Sequence, residues 1–202
     1  MAFRNLTRLD QPGPSMTLST ISDAILSELH RVFAAVEDDQ AERLIKSILD
    51  ANRIFVCGQG RSGLVMRSFA MRLMHLGLQA FVVSETITPG IMTGDVLIVG
   101  SCSGETPGSV LAARIAHNMG VRVASITCRS ESSLAQLSDV LVILPVRSGK
   151  MPSCFGIASS IQPQGSFAEQ SLFIYLDCIV VRLMQEKGQD FEEILWRHAN
   201  LE

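Results

Sequence analysis

The sequence is poor in charged residues, in aromatic residues and in long apolar runs. Charged residues make up 18% of its 202 residues and aromatic residues 5%. Lysines and arginines are scattered, and the formal net charge is −3, which does not suit the phosphate backbone of a nucleic acid. The longest apolar stretch, residues 172–184, is too short to cross a bilayer and contains Asp177 and Arg182. We therefore expect neither a nucleic acid nor a membrane as a partner.

Cysteine pairing motifs are also lacking. The five cysteines are an odd number and include no C-x-x-C pair. The N-terminus carries Arg4 and Arg8 without a long apolar core, so we expect no secretory signal. These features predict reduced thiols in a cytoplasmic protein. Cys102 differs from the others because it lies in a polar turn, where we expect it either to be open to alkylation or simply to fit a tight turn.

Apolar residues make up 47% of the sequence, which is a large share beside its few charged residues. A chain of this length forms one α/β domain with a complete core, and the surplus apolar surface predicts contacts between subunits. Residues 1–17 include Pro12, Gly13 and Pro14 and predict a flexible N-terminal arm. We expect residues 18–202 to form a single domain that begins with helices and ends in a helical tail.

Five apolar segments alternate with helical patterns. They are mostly continuous and rich in β-branched residues, which predicts strands buried on both faces. A predicted helix over residues 64–76 follows the first strand, and a long helix capped by Ser166 ends at Gly188. Residues 146–165 lack periodicity and predict a lid or a segment that crosses to another subunit. The predicted fold is α/β, a five-stranded parallel sheet flanked by helices, with strands at residues 53–57, 80–83, 95–100, 121–127 and 139–144.

The turn Ser101-Cys102-Ser103-Gly104-Glu105-Thr106 joins the third predicted strand to a predicted helix from Pro107 to Met119. It combines three hydroxyl groups with the free N–H groups and partial positive charge of a helix N-terminus. We expect Gly104 to let the backbone approach a ligand. This turn, which we call the anion cradle, suits a phosphate without any basic side chain. The alternative is a turn whose Ser and Thr residues only cap the helix.

A second turn of the same kind, Gly58-Gln59-Gly60-Arg61-Ser62-Gly63, follows the first predicted strand and favours ligand binding. Arg61 is a candidate for contact with a phosphate or sugar hydroxyl, or for a salt bridge at the turn. After the second strand, Glu85 and Thr86 either touch substrate or cap a loop. The glycine spacing also matches half of a dinucleotide fingerprint, but Glu85 coincides only loosely with the acid which that motif requires.

Together these stretches resemble the sugar isomerase (SIS) domain family and, within it, the 6-phospho-3-hexuloisomerases of the ribulose monophosphate pathway. The resemblance covers roughly residues 54–201. The anion cradle alone is typical of the whole superfamily, whereas the helix after Ser62 and two further stretches are more specific. The matching stretches are Gly58-Gln59-Gly60-Arg61-Ser62-Gly63, residues 69–77, 85–89 and 101–106, Ser160-Ile161-Gln162-Pro163, Gly165-Ser166, Glu169-Gln170-Ser171-Leu172 and Arg197-His198-Ala199-Asn200-Leu201.

The resemblance implies a flavodoxin-like sandwich, a homotetramer with sites at subunit interfaces, and no metal or organic cofactor. It implies interconversion of D-arabino-3-hexulose 6-phosphate, a phosphorylated ketohexose, with D-fructose 6-phosphate through an enediolate, as part of formaldehyde fixation. Gln164 and the pair Phe167-Ala168 depart from residues often found in the family, and we expect them to affect the shape of the pocket.

The resemblance also assigns roles to individual residues. Glu169 is implied as the base that transfers the proton. His198 either opens the sugar ring or protonates an oxygen in a neighbouring subunit's site, or else docks the tail. Glu105 is either a substrate ligand or an acid favoured at a helix start. Substrate binding is expected at Gly60, Arg61, Ser62, Ser101, Cys102, Ser103, Gly104, Glu105 and Thr106.

Two other functions stay open from the sequence. One is a different phosphosugar isomerase, acting on a pentose or heptose phosphate. The other is a non-catalytic sugar-phosphate sensor that regulates transcription. Such a sensor carries a basic DNA-reading domain ahead of the sugar module, and the first fifty residues here do not supply the basic residues.

Overall fold

The computed structural model describes residues 15–146, 160–163 and 165–201. Most of the predicted arm, most of the predicted lid or crossing segment, and Gln164 therefore lie outside the described residues. Within the described ranges, none of the helices is both long enough and apolar enough to span a bilayer.

Seven helices and five strands make up the described chain. The strands are β1 (Ile54–Gly58), β2 (Ala80–Val82), β3 (Val96–Gly100), β4 (Arg122–Thr127) and β5 (Val140–Ile143). The helices are α1 (Leu18–Phe33), α2 (Asp38–Leu49), α3 (Gly60–His75), α4 (Pro107–Asn118), α5 (Ser133–Gln136), α6 (Ser166–Lys187) and α7 (Phe191–Leu195). The strands form one parallel sheet in the order β2-β1-β3-β4-β5, which confirms the predicted α/β fold and its flavodoxin-like strand order.

The strand order reverses between β1 and β3. The chain moves from β1 to β2 on one side and then returns to build β3, β4 and β5 on the other. In the β1–β3 pair, Ile54 is level with Val96 and Gly58 is level with Gly100. The carboxyl ends of the two strands are therefore adjacent at the reversal point, which is where open α/β sheets leave a crevice for ligands.

Helices cover both faces of the sheet. One face packs against α1, α2, α3 and α6 in a core that includes Leu44, Ile98 and Leu176, all almost fully buried. The other face packs against α4 and α5 around Leu97, Val123 and Leu134. This double coverage explains why the strand sequences are continuously apolar instead of alternating with polar residues.

Two helix starts differ from the sequence-based predictions. Helix α3 begins at Gly60 rather than residue 64. Its cap residue, Gln59, is extended, Gly60 takes φ +57°, and residues 60–63 form the first turn. Helix α6 is preceded by Gly165 at φ +91°, and Ser166 is a buried first residue of the helix instead of its cap. Gly188, in the left-handed conformation, ends α6 as predicted.

Gly63 is required for close packing of α3 on β1. A Cβ atom at this position would lie 2.8 Å from the carbonyl oxygen of Gly58, a backbone atom that cannot move independently. We predict that Gly63→Ala lowers the free energy of unfolding by about 2 kcal/mol through overpacking. Gly108→Ala is the matched control, since its Cβ would meet only the amide end of the flexible Gln59 side chain. Equal melting temperatures for the two variants in thermal denaturation would contradict this.

Candidate active site

The anion cradle lies between the carboxyl end of β3 and the first turn of α4. The Ser101 and Thr106 hydroxyl oxygens are 3.2 Å apart, and the Ser103 hydroxyl oxygen is 3.5 Å from that of Thr106. The three predicted hydroxyl groups therefore converge. The first N–H groups of α4 have no acceptor within the helix, and Thr106 caps the helix without a side-chain hydrogen bond. Hydroxyl and N–H donors thus surround one small concavity.

Gly104 has a packing role in addition to the predicted approach of its backbone to a ligand. It has φ +65°, and a Cβ atom on it would lie 2.1 Å from the Ser132 hydroxyl oxygen. Its missing side chain therefore faces the start of α5 and not the concavity. Its carbonyl oxygen accepts a hydrogen bond from the N–H of Leu134. Gly104 is needed so that the cradle packs against α5.

Glu105 is also engaged with α5. Its carboxylate accepts hydrogen bonds from the Ser133 N–H at 2.9 Å and the Ser133 hydroxyl at 2.7 Å. The hydrogen bond from the backbone N–H is the main cause that lowers the pKa of Glu105. Glu105 therefore acts as an acid at a helix start, but the helix is α5 and not the one that follows its own turn.

The second turn lies beside the cradle. Arg61 and Ser62 are in the first turn of α3, where Arg61 is exposed and Ser62 half-buried. Gln59, the cap residue of α3, extends toward Gly108 at the start of α4. The N-termini of α3 and α4 consequently meet above the reversal point of the sheet, and their positive ends favour an anionic ligand there. After β2, Glu85 forms an ion pair with Arg67, while Thr86 is exposed.

Glu169 lies in the first turn of α6, facing the start of α3. Its N–H donates to the carbonyl oxygen of Gly165, and Nε of Arg61 is 2.7 Å from its Oε2. The Glu169 side chain is 18% exposed against 61% for Arg61, so the carboxylate is held in a largely enclosed position by an exposed cation. A cleft of about 510 Å³ opens between the two helices, lined by Arg61, Leu64, Val65, Glu169, Gln170 and Phe173.

Cys102 links the cradle to Glu169. Its sulfur atom is 3.0 Å from that of Cys128, and the hydrogen bond between the two thiols lowers the pKa of Cys102. Burial and the negative charge of Glu169 oppose this and raise the same pKa. Leu172, one turn after Glu169 on α6, lies 3.0 Å from the position of a Cβ atom on Gly100, so the start of α6 packs at the end of β3, where the cradle begins. Phe167 and Ala168 are buried in the core just before Glu169 and are not part of the cleft lining, so the predicted effect on pocket shape would act through packing behind the cleft.

His198 is remote from Glu169 within one chain. Its ring stacks on the buried His75 at a centroid distance of 4.7 Å, and the neighbouring Arg197 donates a hydrogen bond to the carbonyl oxygen of His75. His75 ends α3, whereas Arg61 is in the first turn, so about 20 Å of helix separates them. Burial, with the charges of His198 and Arg72, lowers the pKa of His75. The structure does not bring the two predicted catalytic residues together within a protomer.

Glu28 holds the segment that precedes α6, and the sequence-based predictions missed it. It is only 5% exposed, although it lies on α1. Its carboxylate accepts hydrogen bonds from the Ser160 hydroxyl, the Ile161 N–H and the Gln162 side-chain amide at 2.7, 3.0 and 2.9 Å. This segment leads into α6, since the Ser166 N–H donates to the carbonyl oxygen of Pro163. The sequence did carry a signal of its burial, because Glu28 lies in the apolar stripe of α1, between Ile25 and Val32.

A second cavity, of about 470 Å³, lies at the opposite edge of the sheet and near none of the predicted site residues. Two of its three acidic residues have structural partners: Asp95 pairs with Arg53 at 2.6 Å, and Asp139 accepts from the Val123 N–H at 2.8 Å. Among the described residues, no three metal-binding side chains come together.

Most of the chain is similar in sequence to known proteins. Residues 47–174 match the SIS domain model. The chain is 40% identical over 178 residues to the 3-hexulose-6-phosphate isomerase of Bacillus subtilis, covering 88% of this chain and 95% of that one. It is equally similar to the Mycobacterium gastri protein of the same name, covering 88% of each chain. The chain belongs to the SIS domain family.

A solved structure agrees with these relatives. A hypothetical protein from Methanococcus jannaschii, whose structure was reported to imply a 3-hexulose-6-phosphate isomerase function, has a TM-score of 0.77 with 33% identity. The match covers 92% of this chain and 98% of that one.

We predict that Glu28→Gln lowers the free energy of unfolding by about 2 kcal/mol at neutral pH, because hydrogen bonds to a buried carboxylate are lost. Burial alone raises the pKa of Glu28, but the hydrogen bonds from Gln162, Ser160 and Ile161 outweigh it, so the pKa is lowered overall. A lowered pKa stabilises the fold above the ordinary glutamate pKa of about 4.3. The stability difference from wild type should therefore shrink as the pH falls through the lowered value.

Denaturant unfolding of both proteins at a series of pH values measures this difference. Glu37→Gln is the control, because Glu37 is an exposed acid between α1 and α2 whose side chain holds only Gln40. A difference that stayed constant down to pH 3 would contradict the role assigned to the Glu28 carboxylate.

Proposed function

We propose that the chain is an isomerase that interconverts D-arabino-3-hexulose 6-phosphate and D-fructose 6-phosphate. The observation that carries the proposal is the position of Glu169, whose carboxylate is 2.7 Å from Arg61 in the first turn of α3 and lines a cleft between α3 and α6. The names of the 3-hexulose-6-phosphate isomerases at 40% identity support this choice of substrate.

The phosphate is bound at the cradle in this proposal. The hydroxyl oxygens of Ser101 and Ser103 lie 3.2 and 3.5 Å from that of Thr106, and the α4 N-terminus adds N–H donors. Ser62 and the backbone at Gly60, in the neighbouring turn, bind the sugar. Remote binding of the phosphate holds the reacting carbons at a fixed distance from the base, which lowers the entropic part of the barrier.

Glu169 transfers the proton in this proposal. The ketone of the 3-hexulose is at C3, so the carboxylate removes the proton from C2, which leaves a 2,3-enediolate. The same proton returns to C3, and the O2 hydroxyl proton moves to O3, giving the ketone at C2. Arg61, 2.7 Å from Glu169 in the structure, is free to turn toward the developing oxyanion because its side chain is largely exposed.

His198 acts in a neighbouring subunit in this proposal. It is remote from its own Glu169, and the chain has exposed apolar side chains that suit subunit contacts, among them Leu64 on α3, Leu111 and Ile115 on α4, and Trp196 beside His198. We propose a homotetramer of single-domain subunits, formed by residues 18–202, with sites at the interfaces. We further propose a cytoplasmic role in formaldehyde fixation.

The two N-terminal helices do not supply the DNA-reading unit that the regulator alternative needs. Helix α1 packs on α6 and α2 on β5, and the Gln40 side chain accepts a hydrogen bond from the Ile143 N–H at 2.8 Å. These helices belong to the sheet domain and do not form a separate DNA-reading unit. A different phosphosugar isomerase remains the second candidate, because the cradle recognises phosphate and not the length of the sugar.

We predict isomerisation of D-arabino-3-hexulose 6-phosphate in a coupled assay that generates it from ribulose 5-phosphate and formaldehyde. In a panel of sugar phosphates, turnover of a pentose or heptose phosphate alone would favour the second candidate. Glu169→Gln should reduce kcat by roughly a thousandfold with little change in the binding of fructose 6-phosphate.

Glu186→Gln is the matched control for that variant, since Glu186 is a half-exposed acid on the same helix that contacts Arg182. Near-normal kcat in Glu169→Gln would refute the role of this residue as the base.

We predict that subunits carrying Glu169→Gln and subunits carrying His198→Ala restore activity when they are mixed. If each site combines Glu169 from one subunit with His198 from another, random exchange gives intact sites at roughly a quarter of the wild-type number. The measurement is activity after the two inactive variants are unfolded and refolded together, compared with each refolded alone. Absence of recovery, with hetero-oligomers demonstrated by mass spectrometry, would count against an intersubunit role for His198.

A further inference from the structure

Two cysteines are side by side at the floor of the anion cradle. The sulfur atoms of Cys102 and Cys128 are 3.0 Å apart. Their backbones are paired as well, because the Cys128 N–H donates to the carbonyl oxygen of Cys102 at 3.0 Å, and the Thr127 hydroxyl donates to the same oxygen at 3.1 Å. Neighbouring strand extensions bring Cα atoms to about 5 Å, within the range that a disulfide bond spans.

We propose that Cys102 and Cys128 are a modification site at which a peroxide forms a reversible disulfide, and that this disulfide prevents phosphate binding in the cradle. The consequence for activity rests on the proposed function, whereas formation of the bond does not. Nothing in the proton transfer assigned to Glu169 requires either thiol.

The two thiols differ in exposure and in pKa, as an attacking and a resolving thiol must. Cys102 is half-buried and belongs to the ligand-binding turn, whereas Cys128 is 8% exposed beneath it. The hydrogen bond between them lowers the pKa of Cys102, while the same contact and burial raise the pKa of Cys128 well above its usual value. Cys102 is therefore the attacking thiolate and Cys128 the resolving thiol.

The chemistry balances with one peroxide. The Cys102 thiolate attacks a peroxide oxygen, an S–O bond forms, the O–O bond breaks and hydroxide leaves. The Cys128 sulfur then attacks the sulfenic sulfur, an S–S bond forms, the S–O bond breaks, and the thiol proton leaves with the oxygen. Two thiols and one hydrogen peroxide give one disulfide and two waters, and a dithiol reductant reverses the reaction.

The disulfide disturbs the cradle because Cys102 lies between two of its donors. Bond formation draws the Cys102 sulfur from 3.0 Å to about 2.05 Å from that of Cys128. The hydroxyl groups of Ser101 and Ser103, on either side of Cys102, both lie within hydrogen-bonding distance of the Thr106 hydroxyl group. A shift of the residue between them separates hydroxyl groups that must converge on one phosphate.

The test treats the full chain with equimolar hydrogen peroxide and maps its peptides without reduction. We expect one cross-link, between the peptides containing Cys102 and Cys128, with a mass loss of two hydrogens. We also expect at least a tenfold loss of affinity for inorganic phosphate by calorimetry, reversed by dithiothreitol. No cross-link, or one that joins Cys102 to another cysteine, would overturn the proposal.

Variants separate this site from general oxidation. Cys128→Ser removes the resolving thiol and should leave phosphate affinity normal before oxidation. Afterwards it should show no cross-link, a gain of one oxygen on the Cys102 peptide, and a smaller dithiothreitol-reversible loss of affinity than wild type. Cys178→Ser, at an exposed position on α6, should behave like wild type throughout. Reversible loss of phosphate binding in Cys128→Ser equal to that of wild type would refute the pairing. Peptide mapping and phosphate binding need no isomerase assay. A failure of the proposed function can therefore be told apart from a failure of the disulfide proposal.

Discussion

The parallel pairing of β1 with β3 is the constraint on which the site depends. It brings Gly58 level with Gly100, so both strands end at the same height where the strand order reverses. A side chain would be crowded at both positions: a Cβ on Gly100 would lie 2.6 Å from the Met66 sulfur, and one on Gly58 would lie 3.0 Å from the Ser62 carbonyl oxygen. This close packing sets the N-termini of α3 and α4 next to each other, and two positive helix ends then face one small volume.

Glu169 enters that volume from a third direction. Helix α6 lies beside α3, and the segment before it is held by Glu28 on α1, so three helices together determine where the carboxylate lies. The carboxylate is paired within the cleft, where Nε of Arg61 lies 2.7 Å from Oε2 of Glu169. A carboxylate paired with an exposed arginine and a set of N–H and hydroxyl donors therefore lie at the same edge of the sheet, which is the combination that the proposed proton transfer uses.

Much of this arrangement could be predicted from the sequence, because continuous β-branched runs and two glycine- or serine-rich turns have direct structural meaning. The strands, the sheet and the convergence of Ser101, Ser103 and Thr106 follow from such patterns. Long-range contacts do not: nothing local in the sequence tells that Gly104 faces Ser132 or that Glu105 holds Ser133. Glu28 could have been found from its place in an apolar stripe, but its partners lie more than 130 residues away.

The most direct measurement is a crystal structure of Glu169→Gln with fructose 6-phosphate bound. The account predicts that the phosphate is held by the hydroxyl groups of Ser101, Ser103 and Thr106 and the first N–H groups of α4. It also predicts that the residue 169 side chain lies within hydrogen-bonding reach of C2 and C3. A phosphate bound elsewhere, or a sugar whose C2 and C3 face away from α6, would contradict it.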